Sequence, residues 1–360
     1  MKIRRIAFEQ FRNLAPGELI ADEGINVLYG DNAQGKTNLL EAMWLFTGAK
    51  SFRGAKESSL IQKGESFARL EMDFFAQGRD QNATLLLQKG RQASLNGVKL
   101  KNGGQLAGTF RAVVFSPAHL TLVKDGPGER RRFLDVAICQ LWPKYMAVYQ
   151  SYLRAVTQRN ALLKDARFHS QLYDMLEVYE TEIARKGARI VAYRKRYLDR
   201  LCPFAQEIYS GIAGGKERLS LAYEGTPDGE EPERLLTALK AARREDMAAG
   251  VTSVGPHRDD LALSVEELDA RQFASQGQQR SVVLALKLAE AAVLREVAGE
   301  QPVALLDDVM SELDGFRQDY ILNHIRDWQV FLTGCDRAAI GRMTTGAVFR
   351  VANGQLTKEG

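Results

Sequence analysis

Residues 30 to 37, Gly-Asp-Asn-Ala-Gln-Gly-Lys-Thr, match the pattern G-x-x-x-x-G-K-[ST] at every fixed position. The apolar run Ile25–Tyr29 before them predicts a short strand, and apolar residues at helical spacing over residues 36–46 predict a helix after them. Between a strand and a helix, such a loop surrounds a phosphate with backbone N–H groups and a helix N-terminus. The chain is therefore expected to fold around an α/β nucleotide-binding core.

Each residue type in this loop has a physical role. Gly30 and Gly35 allow the backbone to fold closely around a phosphate, and Lys36 brings a positive charge to the β- and γ-phosphates. The hydroxyl group of Thr37 is expected to coordinate Mg²⁺. We therefore predict an ATP and Mg²⁺ site in which Lys36 also takes part in catalysis. The predicted nucleotide ligands in this loop are Gly30, Asp31, Asn32, Ala33, Gln34, Gly35, Lys36 and Thr37.

A second motif lies near the other end of the chain. The apolar residues 303–306, Val-Ala-Leu-Leu, predict a buried strand, and two carboxylates, Asp307 and Asp308, follow it directly. In a nucleotide site of this type, Asp307 would hold Mg²⁺, and Asp308 would orient or deprotonate the attacking water. Without the loop at residues 30–37, a pair of helix-capping aspartates would be the better interpretation.

About 270 residues separate Lys36 from Asp307, which is far more than in small P-loop kinases and GTPases. Strand-like runs and turns occupy the two ends of the chain, whereas helical periodicity dominates its middle. We therefore predict an α/β head formed by residues 1–126 and 251–360, with a helical arm, residues 127–250, inserted into it.

Two amphipathic stretches within the predicted arm indicate a helical hairpin. Apolar residues recur at steps of three, four and seven in residues 172–201, and residues 145–163 also have helical periodicity. We expect these two helices to be antiparallel. Pro203 stands where the second helix is expected to end, because proline removes a helical hydrogen bond.

A third motif, Ser-Gln-Gly-Gln at residues 275–278, precedes a strong helical pattern over residues 278–297. It resembles the signature motif of ABC-type ATPases, in which a helix start binds the γ-phosphate of ATP held by another subunit. The helix dipole and the free N–H groups make such a position an anion site. We expect Ser275, Gly277 and Gln278 to bind nucleotide in this way, although an ordinary helix N-cap is the alternative. Residues 311–314 resemble the D-loop, which lines the interface between two heads.

Together, these segments resemble the RecF family of bacterial recombination mediators, which is related to the ATPase heads of SMC proteins. The resemblance covers nearly the full length of the chain. It rests on Phe11-Arg12-Asn13, residues 30–37, Ser51-Phe52-Arg53, Ser116-Pro117, and residues 131–135, 255–260, 274–280 and 305–314.

The resemblance implies an α/β fold, an ABC-type P-loop ATPase head with an inserted helical arm. It also implies a homodimer that forms on binding ATP, with Lys36, Thr37, Asp307 and Asp308 of one chain facing Ser275 and Gly277 of the other. Such a dimer would bind DNA at single-strand/double-strand junctions without sequence preference. With RecR and RecO it would help to load recombinase on gapped DNA, in repair, replication and the SOS response. Slow ATP hydrolysis would reset the dimer.

Three positions depart from ABC-type heads in general. Asp308 stands at the position of the catalytic glutamate, and its shorter side chain predicts slow hydrolysis. The usual H-loop histidine is absent after the strand at residues 330–333, so Thr333 or Asp336 is a candidate substitute. For the Q-loop glutamine, Gln62 and the strand that contains Asp73 fit the spacing equally well.

Composition restricts the partners only loosely. The net charge of +4 permits a polyanionic partner, and the three separated cysteines argue against a disulfide framework or a zinc site. No apolar run approaches the length of a membrane helix, and the N-terminus lacks a signal-peptide pattern, so we expect a cytoplasmic protein with no membrane partner.

Seven Lys/Arg residues in 185–200 could contact DNA phosphates or form a solvated helix face, and residues 130–132 could contact DNA or pair with carboxylates.

Other functions remain open on the sequence. One alternative is a stand-alone ATPase or small-molecule phosphotransferase with no DNA role. A transporter ATPase subunit and a mainly structural role at the replisome are two more. His257-Arg258-Asp259 is similar to a kinase catalytic loop, but Ser264 stands where that loop has Asn, so we expect a structural or interface role for this segment.

Overall fold

A computed structural model describes residues 1–166, 171, 173–335 and 346–359. Its contacts divide the chain into two compact units. The first unit comprises Met1–Leu120, Gly211–Ala213 and Val283–Gly360, and the second comprises Thr121–Ser210 and Gly214–Val282.

The strands are numbered in chain order. They are β1 (Lys2–Glu9), β2 (Gly17–Ile20), β3 (Ile25–Tyr29), β4 (Ala68–Ala76), β5 (Arg79–Leu87), β6 (Arg91–Leu95), β7 (Val98–Lys99), β8 (Ala112–Phe115), β9 (Leu219–Glu224), β10 (Asp260–Val265), β11 (Leu268–Asp269), β12 (Val303–Leu306), β13 (Val330–Gly334), β14 (Ala347–Ala352) and β15 (Gln355–Glu359).

The α-helices are numbered in the same way. They are α1 (Lys36–Leu45), α2 (Thr121–Lys124), α3 (Pro127–Leu141), α4 (Lys144–Ala166), α5 (Tyr173–Ile212), α6 (Pro232–Ala249), α7 (Ala270–Phe273), α8 (Gln276–Ala298) and α9 (Gly315–His324).

The first unit contains two six-stranded sheets. One has the order β15-β14-β3-β13-β12-β8, in which neighbours from β14 to β8 are parallel and β15 is antiparallel to β14. Every residue of β8 and β12 is buried, as the short, unalternating apolar runs predict for a sheet covered on both faces. The other sheet is antiparallel, with the order β2-β1-β4-β5-β6-β7. The predicted hairpin turn is confirmed, because Asn96 and Gly97 both have positive φ between β6 and β7.

The second unit contains the predicted antiparallel hairpin of α4 and α5. The ring centroids of Tyr145 and Tyr193 lie 5.4 Å apart, Arg159 pairs with Glu180, and further along Leu163 and Leu176 share an apolar cluster. As the residue numbers in α4 rise, those of their contacts in α5 fall, so the two helices are antiparallel.

The predicted end of the second helix was wrong. α5 continues through Pro203 to Ile212, and its buried stripe also continues, through Leu201, Ala205 and Tyr209. An interior proline costs a helix about 3 kcal/mol. After the proline, the large side chains of Ile208, Tyr209 and Ile212 are buried. Their burial outweighs the cost, since a large apolar side chain contributes roughly 1.5–3 kcal/mol when it is buried.

A small sheet also belongs to the second unit. Its order is β11-β10-β9, and β10 pairs with β9 in an antiparallel register from Asp260 with Glu224 to Val265 with Leu219. This pairing brings residues after 251 into the second unit, so the contacts divide the chain after Leu120 and before Val283, within α8. The predicted bounds of 1–126 with 251–360, and 127–250, stay a prediction about domain extent. In the described parts of the chain, no helix is both long and apolar enough to span a membrane.

Candidate nucleotide site

Residues 30–37 connect β3 to α1, as the motif predicts. Gly30 has a φ of +149°, and a Cβ atom there would lie 2.1 Å from the carbonyl oxygen of Val351 on β14. Gly35 has a φ of +116°, and its Cβ atom would lie 2.8 Å from Leu14. Both positions therefore require glycine, because the backbone conformation and the space each exclude a side chain.

The Lys36 side chain is folded back along the loop and is buried. Its ammonium group donates hydrogen bonds to the carbonyl oxygens of Gly30, at 2.6 Å, and Asp31, at 2.9 Å, and it lies 3.7 Å from the Cys335 sulfur atom. An ammonium group held against the first residues of the loop is placed to meet an anion bound within the loop.

Thr37 joins the loop to the carboxylate pair. Its hydroxyl group donates a hydrogen bond of 2.7 Å to Oδ1 of Asp307. The two residues meet because β12 and β3 lie on either side of β13 in the parallel sheet, so that Asp307 and the loop emerge at the same edge. The structure therefore brings together two motifs that are about 270 positions apart in the sequence.

The Thr37 hydroxyl and the Asp307 carboxylate form a set of hard oxygen donors that fits Mg²⁺. Burial raises the pKa of Asp307, and the neighbouring Asp308 carboxylate adds to this, whereas the hydrogen bond from Thr37 opposes it. A cation at this position would favour the ionised carboxylate. The described residues contain no group of three or more His, Cys, Asp and Glu side chains suited to a metal, so phosphate or water oxygens would have to complete the coordination.

Asp308 follows Asp307 in a left-handed backbone conformation, with a φ of +49°. Its backbone N–H donates to the Thr333 hydroxyl at 2.9 Å. The Ser311 hydroxyl donates to the Asp308 carbonyl at 2.8 Å. The residues after β12 are thus held in a tight turn that keeps both carboxylates near the loop.

A cavity of about 620 Å³ opens beside the loop. Three side chains of its wall are joined to the loop by a chain of hydrogen bonds: Asn13 donates to the Ala33 carbonyl at 2.9 Å, Asn38 to Asn13 at 2.6 Å, and Arg53 to Asn38 at 3.0 Å. The motifs Phe11-Arg12-Asn13 and Ser51-Phe52-Arg53 therefore meet at this site. The lining residues are Arg12, Asn13, Asn32, Ala33, Gly35, Lys36, Thr37, Asn38, Arg53, Ser59, Ile61, Lys63 and Asp308.

The carboxylate of Glu41 on α1 joins the two motifs by hydrogen bonds. It is fully buried and accepts a two-point contact from Arg12, at 2.9 and 3.1 Å, and a hydrogen bond from the Ser51 hydroxyl. The predicted candidates for this site did not include Glu41. A buried glutamate inside an apolar helix pattern was the available signal, since such a residue requires a partner.

The turn between β14 and β15 supports the loop and was also missed. The Asn353 N–H donates to Oε1 of Gln34 at 2.5 Å, and the Gly354 N–H donates to the Gln34 carbonyl at 3.0 Å. Gly354 also accepts from the Ala15 N–H at 3.0 Å. The Asn-Gly pair was a readable turn signal, but nothing local indicates that the turn contacts residue 34.

The Ser275 motif lies in the second unit, at the start of α8. Ser275 is exposed, its hydroxyl accepts from the Gln278 N–H at 3.2 Å, and Gln278 Oε1 accepts from the Ser275 N–H at 2.8 Å. This reciprocal pair is a capping box. Gln278 also donates to Glu217 at 3.0 Å, and Gly277, half-buried, lies one residue inside the helix. The predicted nucleotide contact of Ser275, Gly277 and Gln278 stays a prediction.

The candidates for the Q-loop and H-loop have different surroundings. Ile61 and Lys63 line the cavity on either side of Gln62, whereas Asp73 lies on the antiparallel sheet and accepts from Asn82 and Arg5. Thr333 touches both carboxylates of the pair, and Asp336 lies outside the described residues.

Several of the basic residues predicted as DNA contacts are buried or paired with carboxylates. Arg194 is fully buried against Asp135, and Lys195 pairs with Glu230. Arg185 and Lys186 share Glu182, while Arg189 is exposed. In the 130–132 segment, Arg130 pairs with the Asp260 carboxylate and Arg132 approaches that of Glu129 at 3.9 Å, whereas Arg131 donates to the Asp259 carbonyl at 2.7 Å. Pairing with carboxylates is thus confirmed for Arg130, and a DNA contact of this segment stays a prediction.

The segment that is similar to a kinase loop is structural in its contacts. His257 Nε2 lies 3.0 Å from the Thr252 carbonyl, and Nδ1 lies 2.6 Å from the Tyr152 hydroxyl. The carbonyl can only accept, so Nε2 carries the proton and Nδ1 accepts from Tyr152. Burial lowers the pKa of His257 to about 4, which keeps the ring neutral.

Comparisons with known proteins show the family of the chain. The family model of the RecF/RecN/SMC N terminal domain matches residues 2–355. The chain is 38% identical to the DNA replication and repair protein RecF of Agathobacter rectalis over 99% of both chains, and 37% identical to that of Clostridium acetobutylicum over 99% of this chain and all of the other.

Solved structures extend the comparison to the fold. The recombination mediator protein RecF with ATP, from the RecFOR pathway, matches with a TM-score of 0.93 and 34% identity, covering all of this chain and 98% of that one. An SMC head domain from Pyrococcus furiosus matches with a TM-score of 0.55 at 15% identity over 100% and 97% of the two chains, which supports the fold alone. The chain therefore belongs to the RecF family and has the ABC-type ATPase head fold of the RecF and SMC proteins.

Proposed function

We propose that this protein is an ATP-switched DNA-binding protein of recombinational repair and replication. The hydrogen bond between Thr37 and Asp307 is the observation that supports this most directly, because it assembles a phosphate loop and a carboxylate pair into one site. A relative at 34% identity is described as a recombination mediator with ATP, and other relatives as DNA replication and repair proteins.

Each side chain of the site has a role in this proposal. The N–H groups of residues 30–37 and the Lys36 ammonium group bind the phosphates of ATP. Thr37 and Asp307 hold Mg²⁺, which supplies charge neutralisation when bound. Asp308 orients or deprotonates the attacking water. We infer slow hydrolysis, since an aspartate reaches less far than the glutamate of ABC-type heads.

The second half of the site comes from another copy of the chain. Ser275, Gly277 and Gln278 stand exposed or half-exposed at the start of α8, where the helix dipole and N–H groups favour an anion. ATP bound to one head would therefore hold the signature segment of the other, which makes ATP binding and homodimer formation one event. Hydrolysis at Asp308 then releases the dimer.

We further propose that the ATP-bound dimer binds single-stranded and junction DNA through its backbone, in the cytoplasm, with RecR and RecO as partners. It would help to load recombinase on gapped DNA and support the SOS response. The exposed Arg189, the overall charge of +4 and the names of the relatives support this. The head would comprise residues 1–126 and 251–360, and the arm residues 127–250.

Sedimentation with and without ATP tests the switch. The unaltered chain is expected to become a dimer at saturating ATP, and Lys36→Met to stay a monomer with no measurable ATP binding. Lys89→Met, which removes an exposed lysine in the same unit, is the matched control and should behave like the unaltered chain. A chain that remains monomeric at saturating ATP would contradict the proposal.

A DNA titration at several salt concentrations tests the second part. A log–log salt slope that is steep with ATP and absent without it is expected, because phosphate contacts release counterions. ATP turnover that DNA does not change, together with phosphate transfer to a metabolite, would instead support a stand-alone ATPase or phosphotransferase.

A further inference from the structure

Thr333 occupies the centre of the parallel sheet, in direct contact with the carboxylate pair. It lies on β13, which is hydrogen-bonded to β3 on one side and β12 on the other, and it is 1% exposed. The register pairs Leu332 with Leu306, so Thr333 is level with the first residue after β12, which is Asp307. A side chain at this position can reach both carboxylates.

The Thr333 hydroxyl is a hydrogen-bonding centre with one proton and several possible acceptors. Its oxygen accepts the N–H of Asp308 at 2.9 Å. Its proton can go to Oδ1 of Asp307 at 3.2 Å, to Oδ1 of Asp308 at 3.4 Å, or to the Leu306 carbonyl at 3.5 Å. Only one of these bonds can form at a time, because a hydroxyl group has a single donor.

Oδ1 of Asp307 also accepts the Thr37 hydroxyl at 2.7 Å. If this oxygen served as a metal ligand, Oδ1 of Asp308 at 3.4 Å and the Leu306 carbonyl at 3.5 Å would remain as acceptors for the Thr333 proton. The carboxylate is the stronger acceptor of the two, because its charge strengthens the hydrogen bond. The same hydroxyl already holds the Asp308 backbone, whose φ of +49° is unfavourable for a residue other than glycine. Both the backbone and the carboxylate of Asp308 are thus within reach of one hydroxyl group.

We propose that Thr333 is the positioning residue for Asp308, holding its backbone in the left-handed turn and its carboxylate toward the attacking water. This inference rests on the proposed role of Asp308 in hydrolysis. Packing alone does not require the hydroxyl group, because valine has the same shape and suits a buried strand equally well. The hydroxyl group is instead explained by the bonds that it makes.

Two substitutions separate the hydroxyl group from the packing. Thr333→Val keeps the shape and removes the hydroxyl, and Thr333→Ser keeps the hydroxyl. We expect Thr333→Val to lower kcat for ATP by about tenfold or more, since a lost hydrogen bond of about 1.5 kcal/mol corresponds to that factor. KM should change by less than about twofold, and Thr333→Ser should restore kcat to within about threefold, because only the transition state depends on Asp308.

Thr47→Val is the matched control for removing a buried threonine hydroxyl. Thr47 is also 1% exposed in the first unit, and its hydroxyl donates to the Trp44 carbonyl at 2.7 Å and accepts the Ala49 N–H at 3.3 Å. It does not line the cavity. A comparable loss of stability without a loss of kcat is expected for this variant.

A readout that does not involve turnover completes the test. Without nucleotide or metal, the Asp308 amide should exchange its hydrogen faster in Thr333→Val than in the unaltered chain, because its acceptor is gone. The binding of ATP in EDTA should be unchanged in the same variant. An unchanged exchange rate, or a kcat equal to that of Thr47→Val, would overturn the inference.

Asp308→Asn distinguishes this failure from a failure of the proposed function. If Asp308→Asn hydrolyses ATP at the unaltered rate, or if the unaltered chain does not hydrolyse ATP, the proposed function is wrong and the inference falls with it. If Asp308→Asn is inactive while Thr333→Val is fully active, only the role of Thr333 is refuted.

Discussion

Arg159 provides the sharpest test of how the second unit is held together. Its guanidinium group is fully buried and joins three helices and a loop. It donates to Glu180 on α5 at 3.0 Å, to Asp246 on α6 at 2.6 Å and to the Thr252 hydroxyl at 2.9 Å. Glu180 and Asp246 are themselves buried, so these charges are shielded from solvent and depend on one another for compensation.

Arg159→Met keeps much of the side-chain volume and removes the charge. Glu180 would retain Arg243, which contacts it at 2.5 and 3.1 Å, but Asp246 would keep only the N–H and hydroxyl of Ser253. Removing one partner of a buried pair costs about 3–5 kcal/mol, because the other charge is left uncompensated. We expect a loss of about 3 kcal/mol, near the lower limit, since only one carboxylate is left without a cation.

Urea denaturation and hydrogen exchange measure this loss. The effect should appear in peptides of α4, α5 and α6, while ATP affinity at the first unit stays unchanged. Arg154→Met, the same substitution at an exposed position of α4, is the matched control and should change stability by less than about 0.5 kcal/mol.

The double variant Arg159→Met with Asp246→Asn tests the reason for the loss. Removing the stranded charge should recover about 1–2 kcal/mol relative to Arg159→Met alone, since an unpaired buried charge is costlier than an amide. The reasoning would be refuted if Arg159→Met lost less than about 1 kcal/mol of stability, or if the double variant were less stable than Arg159→Met alone.

Two further outcomes are expected. Gly354→Ala should weaken ATP binding, because its Cβ atom would lie 2.1 Å from the Asn13 carbonyl oxygen and push the turn away from Gln34. Gly97→Ala is the control, since Gly97 lies in an open Asn-Gly turn with a similar φ. It should add only backbone strain of about 1 kcal/mol and leave ATP binding intact. Equal ATP affinities in these two variants would contradict the bracing role of the turn. For His257, the folded pKa of about 4 lies below the unfolded value of about 6.5, so protons bind the unfolded state first and stability should fall by up to about 3 kcal/mol as the pH drops through this range. Calorimetry of His257→Gln should show a shallower pH dependence, and an unchanged slope would show that His257 is not its source.

The sequence by itself determined the chemistry of the site and the elements that carry it. Gly30, Gly35, Lys36 and Thr37 were readable because a phosphate loop needs those residue types in consecutive order. The strands before the loop and before Asp307 were readable because a short apolar run bounded by turn residues indicates a buried strand. The hairpin of α4 and α5 was readable from its stripe, since periodicity is a local property.

Tertiary structure decided which residues meet and which are hidden. The contact of Thr37 with Asp307, the support of Gln34 by Asn353 and the position of Thr333 between two carboxylates depend on strand order and register, which local patterns do not specify. Pro203 stays inside a helix because burial outweighs propensity. Arg194, one of seven basic residues in an apparent DNA-binding run, is buried on Asp135, because a charge count along the chain carries no information about which side of a helix faces the core.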